Sequence, residues 1–279
     1  MVASGPGDLL DSASAAYRSN RLAEAKMLYQ QYLDRVADRA DVHASLAACD
    51  LSLGDLQAAL EQTQLALRMD ARLVKAHVLL GRIYTNTQQW RLAQESFDRA
   101  LALNSSDRDG LYFSGLAFHE EGQLQKAVER FLKVLAAGSV EGRLYNHLAN
   151  AYALLGRSQD ADAAFQRAIQ LAPDDPEILL AYGQYLIEMG RGNDGSKLVR
   201  RSFSLRPSPE SRFVLARTLY QQAQYAEAAA LLEAGGTESD CRVSNLLVKI
   251  YREQGLRQKA QAQIEKLTAC LVVGSNATP

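Results

Sequence analysis

Few residues in this chain have the types and spacing that chemistry requires. Gly190-Arg191-Gly192-Asn193-Asp194-Gly195 spells G-x-G-x-x-G, which elsewhere lets a backbone close around a dinucleotide pyrophosphate. That loop needs a preceding strand within a βαβ unit, and no strand pattern leads into it here. His119-Glu120-Glu121 lacks the second histidine one turn on that a zinc-binding H-E-x-x-H carries. The four histidines are dispersed, whereas a metal site needs convergent ligands with supporting partners. His43 and His77, 34 residues apart, read instead as large core spacers. Cys49, Cys241 and Cys270 form no C-x-x-C pair and are odd in number, so they read as structural thiols. No serine sits in a G-x-S-x-G elbow, and no cysteine has a histidine placed to activate it. The expectation is a protein that is not an enzyme, with no cofactor and no metal.

The composition bounds what remains. Apolar residues make up 47% of 279, enough for a sizeable core. With 31 basic against 32 acidic residues the net charge is −1, which gives no electrostatic footprint for nucleic acid or an anionic membrane. Residues 1–7 lack the basic and apolar regions of a signal peptide, and no apolar stretch approaches the roughly 20 residues that span a bilayer. A cytoplasmic setting is therefore expected. Two glycosylation sequons, at Asn104 and Asn276, are read as chance matches without an export signal.

Self-similarity organises the chain. Small residues recur at Ala25, Ala59, Ala93, Ala127, Ala161, Gly195, Ala228 and Ala260, spaced by 34 five times and then by 33 and 32. Four positions later stand Tyr29, Phe97, Phe131, Phe165, Val199, Leu232 and Ile264, with Thr63 the exception. Twelve positions earlier comes a second series, Ala13, Ala47, Gly81, Gly115, Ala149, Gly183 and Ala216, which Val248 breaks. Apolar residues three and four apart make each unit two amphipathic helices. Gly54, Gly122, Gly156, Gly190 and Gly255 fall where a left-handed residue ends the first helix. The G-x-G-x-x-G run thus falls at the interhelical turn of the sixth unit. Asp50 at an aromatic position and Thr63 at a bulky one make the second unit the least well packed in expectation.

His77-x2-Leu80-Gly81-x2-Tyr84 followed by Ala93-x3-Phe97 resembles the tetratricopeptide repeat, W-x2-L-G-x2-Y then A-x3-F then P. So does Tyr145-x2-Leu148-Ala149-x2-Tyr152 with Ala161-x3-Phe165 and Pro173. The resemblance implies an all-α solenoid of eight helix-turn-helix repeats, 6–39, 40–73, 74–107, 108–141, 142–175, 176–208, 209–240 and 241–270, between tails 1–5 and 271–279. It further implies a right-handed superhelix whose first helices line a concave groove.

On that geometry Tyr112, Phe113, His119, Asn146, His147 and Asn150 point into the groove of the fourth and fifth repeats. Asn146 and Asn150 lie one turn apart, and an amide can both donate to and accept from an extended peptide backbone. Further along the groove turns basic, with Arg217, Asn245 and Lys249 beside Tyr220, Arg242 and Arg252, which would favour an acidic peptide or a terminal carboxylate, against the nearby charge of Glu253. The carboxylate clamp of the family's chaperone-binding members is absent, because Asn146 replaces its lysine, Ala181 its second asparagine and Leu246 its arginine. Two readings follow. In the first the chain is a scaffold that binds protein or peptide segments, without nucleic acid and without membrane insertion. In the second it is an assembly or regulatory solenoid, by itself or as an excerpt of a larger protein, acting through its ends and outer face. Self-association through the apolar residues of the last helix, Ile264 and Leu267, fits the second.

Overall fold

The structure is a computed structural model that describes residues 6–235 and 240–275. Within them lie sixteen helices and no strand, in consecutive hairpin pairs. The expected N-terminal tail, 1–5, lies outside the described residues, and the expected C-terminal tail does not begin at 271, because the last helix continues to Ser275.

The chain divides into two compact units, one of residues 1–140 with 154–156, the other of 141–153 with 157–279. The first unit holds α1 (Pro6–Arg18), α2 (Leu22–Arg35), α3 (Ala40–Leu53), α4 (Leu56–Met69), α5 (Val74–Asn86), α6 (Trp90–Leu103), α7 (Arg108–Glu120) and α8 (Leu124–Ala136). The second holds nearly all of α9 (Gly142–Leu154) and then α10 (Ser158–Leu171), α11 (Pro176–Glu188), α12 (Gly192–Leu205), α13 (Pro209–Gln221), α14 (Tyr225–Glu233), α15 (Cys241–Glu253) and α16 (Arg257–Ser275).

Local chemistry explains where the first helices begin. Asp107, Asp175 and Asp240 accept backbone N–H bonds at the starts of α7, α11 and α15, and Ser208 with Ser211 forms a capping box at α13. Pro176 and Pro209 occupy first-turn positions whose N–H has no helical partner. Every first helix is followed by one residue of positive φ: Asn20, Gly54, Gln88, Gly122, Gly156, Gly190, Ala223 and Gly255. Their spacing repeats that of the small residues, 34 five times, then 33 and 32. Five are glycine. Asn20, Gln88 and Ala223 hold the same conformation at a steric cost of about 1–2 kcal/mol each, so the hairpin packing dictates the turn even where the residue opposes it.

Small residues mark where helices touch. In the first unit Ala25, Ala59, Ala93 and Ala127 have no exposed surface, and Phe97 and Phe131 are buried beneath Gly81 and Gly115. A Cβ on Gly81 would lie 2.7 Å from the Phe97 ring, and one on Gly115 2.6 Å from the Phe131 ring. In the second unit Ala161, Phe165, Val199 and Ala228 are fully enclosed, and Phe165 stacks on Tyr182 at 5.0 Å.

The two departures in the second repeat find partners. Asp50 is buried, with its carboxylate 2.6 Å from Lys26 Nζ on α2. Thr63, also buried, donates its hydroxyl to the Ala59 carbonyl at 2.7 Å. His43 is a core residue, as expected, with its ring nitrogens against Gln62 and Asp38. His77 is not. It is half-buried and its Nε2 bonds the Ala71 carbonyl at 3.0 Å, tying down the preceding turn.

Candidate peptide-binding face

First helices stand beside first helices: α3, α5 and α7 are successive neighbours in the first unit, as are α11, α13 and α15 in the second. The anticipated site residues all lie on such helices. Tyr112, Phe113 and His119 are on α7, Asn146, His147 and Asn150 on α9, Arg217 on α13, and Asn245 with Lys249 on α15.

On α7 the Tyr112 and Phe113 rings meet edge to face at 5.3 Å, and Tyr112 also leans on the core ring of Phe131 at 6.3 Å. His119 turns a buried Nε2 inward with no hydrogen-bond partner. Burial holds its pKa below the ordinary imidazole value, against the raising effect of Glu120. On α9, Asn146, His147 and Asn150 are half-buried. The Asn146 side-chain oxygen is closed to solvent and unbonded, so as it stands it offers no open acceptor.

Around α13 and α15 the geometry is more open. A cavity of about 350 Å³ gathers Phe213, Arg217, Tyr220, Asn245, Leu246 and Lys249. Three of the anticipated residues therefore share one pocket. Asn245 and Lys249 sit one turn apart on α15, and Phe213 and Arg217 one turn apart on α13. Arg242 also lines it but is occupied: it pairs with Glu210 at 3.1 Å and Asp240 at 3.0 Å, and lies 4.9 Å from the Phe213 ring centre. Those carboxylates raise its pKa. Among the described residues Arg217 and Lys249 have no carboxylate within 4 Å. Glu253 is not part of the lining. The pocket thus joins two free cations, an amide and apolar walls, a set suited to an acidic side chain next to an apolar one.

Residues 190–194 of the G-x-G-x-x-G segment line an open cavity with Thr218, Gln221 and Gln222, and two of its glycines shape the hairpin. Gly190 supplies a left-handed turn at φ +79°, and Gly195 packs α12 against α11 so closely that a Cβ there would lie 2.5 Å from the Gly183 carbonyl. Among the described residues no three His, Cys, Asp or Glu side chains converge as metal ligands would, and no helix is long and apolar enough to cross a membrane.

Three features had not been anticipated. Cys241 and Cys270 form a disulfide, with Cα atoms 5.8 Å apart, that joins the start of α15 to α16; the thiol expectation holds for Cys49 alone, which is buried. Burial raises the Cys49 pKa to about 11, so it is a poor nucleophile. The Lys26–Asp50 pair is the second. The third is another pocket, of about 360 Å³, with Tyr17, Ser45, Lys75, Arg82 and Phe113 in its walls; only Phe113 was foreseen. Its signal was the pair Lys75 and Arg82, seven residues and so two turns apart on α5.

Comparisons with known proteins agree with the repeat. A family model described as "Tetratricopeptide repeat" matches residues 78–141, and one described as "Anaphase-promoting complex, cyclosome, subunit 3" matches 146–235. Among curated proteins the chain is 25% identical over 162 residues to Protein O-mannosyl-transferase TMTC1 of Homo sapiens, covering 57% of this chain and 18% of that protein. It is 20% identical over 272 residues to Protein CTR9 homolog of Arabidopsis thaliana, covering 91% and 25%. To Superkiller protein 3 of Schizosaccharomyces pombe it is 28% identical over 126 residues, covering 45% and 9%. The matches span at most a quarter of those relatives' length. Among solved structures, the APC/C hetero-tetramer Cut9-Hcn1 superposes with a TM-score of 0.75 at 15% identity, over 94% of this chain and 52% of that one. A tetratricopeptide repeat protein from Parabacteroides merdae gives a TM-score of 0.64 at 17% identity, over 88% and 98%. Such identities speak to the fold alone. With eight helical hairpins turned at a common left-handed position, and family models matched in both halves, the chain belongs to the tetratricopeptide-repeat family.

Proposed function

We propose that this chain is a non-enzymatic protein–protein interaction scaffold that holds peptide or protein segments on its first-helix face. The observation that carries this reading is the α13–α15 pocket, where Arg217 and Lys249 stand unpaired beside Tyr220, Phe213 and Asn245. A ligand carboxylate would form charge-assisted hydrogen bonds there, each contributing about 1.5–3 kcal/mol, and an adjacent apolar side chain would fill the aromatic wall. Tyr112, Phe113 and His119 on α7, and separately Asn146, His147 and Asn150 on α9, are two further candidate contact sets on this reading, with the open edges of Phe113 and Tyr112 the accessible part of the first and Asn150 of the second. The match to a family model described as an anaphase-promoting complex subunit is consistent with a scaffold role. The transferase match covers 18% of that protein, and its activity is not carried over.

The test is binding of acidic and neutralised peptide pairs, identical except for Glu→Gln, to the wild type and to Arg217→Met with Lys249→Met. Loss of at least tenfold in affinity from either the peptide or the protein change supports the reading. Equal binding throughout removes it.

A second reading, contact through the chain's end, draws on α16, where Ile264 and Leu267 remain half-exposed. Light scattering of Ile264→Glu with Leu267→Glu decides it: a dimer reverting to monomer supports self-association, and a monomer in both forms rejects it. A cytoplasmic setting requires Cys241 and Cys270 to be reduced there. Thiol alkylation of the protein in its native source, read by mass, separates that setting from an oxidising one.

A further inference from the structure

The pocket in the first unit is walled by four successive first helices, with Tyr29 of α2 beside them. Tyr17 comes from α1, Ser45 and Ala48 from α3, Lys75, Val78, Leu79 and Arg82 from α5, and Phe113 from α7. Its two cations differ. Lys75 donates to Ser45 Oγ at 2.8 Å and lies within the field of Asp41 and Asp109, which offsets its charge. Arg82, two turns along, is half-buried, with its Cζ 4.1 Å from the centre of the Phe113 ring and the Tyr17 side chain in the same pocket wall. No carboxylate among the described residues lies within 4 Å of it, and of the acids in the pocket wall Asp107 is engaged in capping α7 through Gly110 N at 2.7 Å. The surrounding protein dehydrates the guanidinium enough to lower its pKa, with Tyr17 and Asp109 opposing. A partly dehydrated guanidinium over an aromatic ring, with no carboxylate within 4 Å, is costly unless an anion completes it. Arg82 is therefore the surplus charge of the pocket, and Asp109 at the rim disfavours a second ligand acid at the Lys75 end.

We propose that this pocket is a second, independent peptide site, which takes one internal Asp or Glu side chain on Arg82 and Tyr17 and a neighbouring apolar side chain against Val78, Leu79 and Phe113. It does not rest on the α13–α15 reading, and the two sites are separable by mutation.

The probe is an array of acetylated, C-terminally amidated octapeptides with a single Glu or Asp flanked by Leu, Phe or Tyr, each paired with its Gln or Asn counterpart. Binding is followed by fluorescence polarisation on the full chain, and far-UV circular dichroism confirms that each variant folds. Peptides that bind here should weaken at least tenfold on Glu→Gln and on R82M, less on R82K, which keeps the charge but loses the planar fork. They should be unchanged by Arg217→Met with Lys249→Met. Should R82M fail to fold, R82K and Phe113→Leu, which removes the stacking ring, carry the test. The proposal is overturned if no peptide binds in an acid-dependent way, if acid-dependent binders ignore the Arg82 and Phe113 substitutions, or if binding needs a free terminal carboxylate.

Discussion

Substituting alanine, one at a time, at the three glycines of residues 190–195 separates an interhelical joint from a ligand loop, because the structure assigns a loss of stability to two of them and none to the third. At Gly195 an added Cβ would stand 2.5 Å from the Gly183 carbonyl oxygen, 2.7 Å from Ile187 Cγ1 and 3.0 Å from the Ile187 nitrogen. Two of those atoms are backbone and cannot swing aside. Restoring ordinary contact means opening α11 from α12 by close to 1 Å, and a gap of that size forfeits a quarter to a half of each van der Waals contact it spans. Overpacking of this sort costs about 1–3 kcal/mol beyond the helix propensity that alanine regains, about 1 kcal/mol. At Gly190, with φ at +79°, alanine costs about 1–2 kcal/mol through strain alone, and there is open space around it. At Gly192, in the first turn of α12 with nothing within 4 Å, alanine should be neutral or stabilise by up to about 1 kcal/mol. Urea titration followed by circular dichroism should therefore rank the variants with Gly195→Ala and Gly190→Ala below wild type and Gly192→Ala at or above it. Gly183→Ala, at the other side of the contact, should behave as Gly195→Ala does. Equal destabilisation at all three, or a loss at Gly192 alone, would refute the packing argument.

Three further outcomes are expected. Ala223→Gly and Gln88→Gly, which relieve left-handed strain at two hairpins, should each stabilise by about 0.5–1 kcal/mol in the same titration, whereas Gly122→Ala should destabilise. Reducing the Cys241–Cys270 disulfide, whose partners are 29 residues apart, removes a constraint of about 3–4 kcal/mol on the chain-entropy relation, so amides of residues 257–268 should lose hydrogen-exchange protection while 176–205 keep theirs; unchanged protection would contradict it. For His119 the folded pKa lies below the unfolded value of 6.5, so as pH falls through that value the unfolded chain takes up the proton first and stability declines. His119→Gln should flatten this acid limb, and an identical pH profile in the variant would show that the buried nitrogen finds a partner on protonation.

Much of this fold was legible because a repeat states its own register. Gly81, Ala93 and Phe97 announce two helices that touch, and the spacing of the small residues reappears in the left-handed turns. What the sequence did not disclose depends on neighbours more than one helix away. Ala223 and Gln88 have no preference for positive φ, so only the hairpin explains them. Asp50 looked like a packing fault until α2 placed Lys26 against it. Cys241 and Cys270 lie on the two helices of one hairpin, and a spacing of 29 carries no signature without their facing geometry. The site divided along the same line. Arg217, Asn245 and Lys249 share a pocket because they occupy equivalent faces of adjacent first helices, which periodicity can locate. The Arg82 pocket needs α1, α3, α5 and α7 together, and Asn146 has a closed oxygen that helix periodicity alone does not reveal.

The scaffold claim is tested most directly by photo-crosslinking in the native source, with a benzophenone side chain replacing Asn245 in the α13–α15 pocket and, as control, Lys197 on the exposed side of α12. Crosslinks are expected at 245, the captured peptide carrying an Asp or Glu beside an apolar residue, and Arg217→Met with Lys249→Met should abolish them. Crosslinks confined to 197, or crosslinks at 245 that ignore the two substitutions, would contradict it.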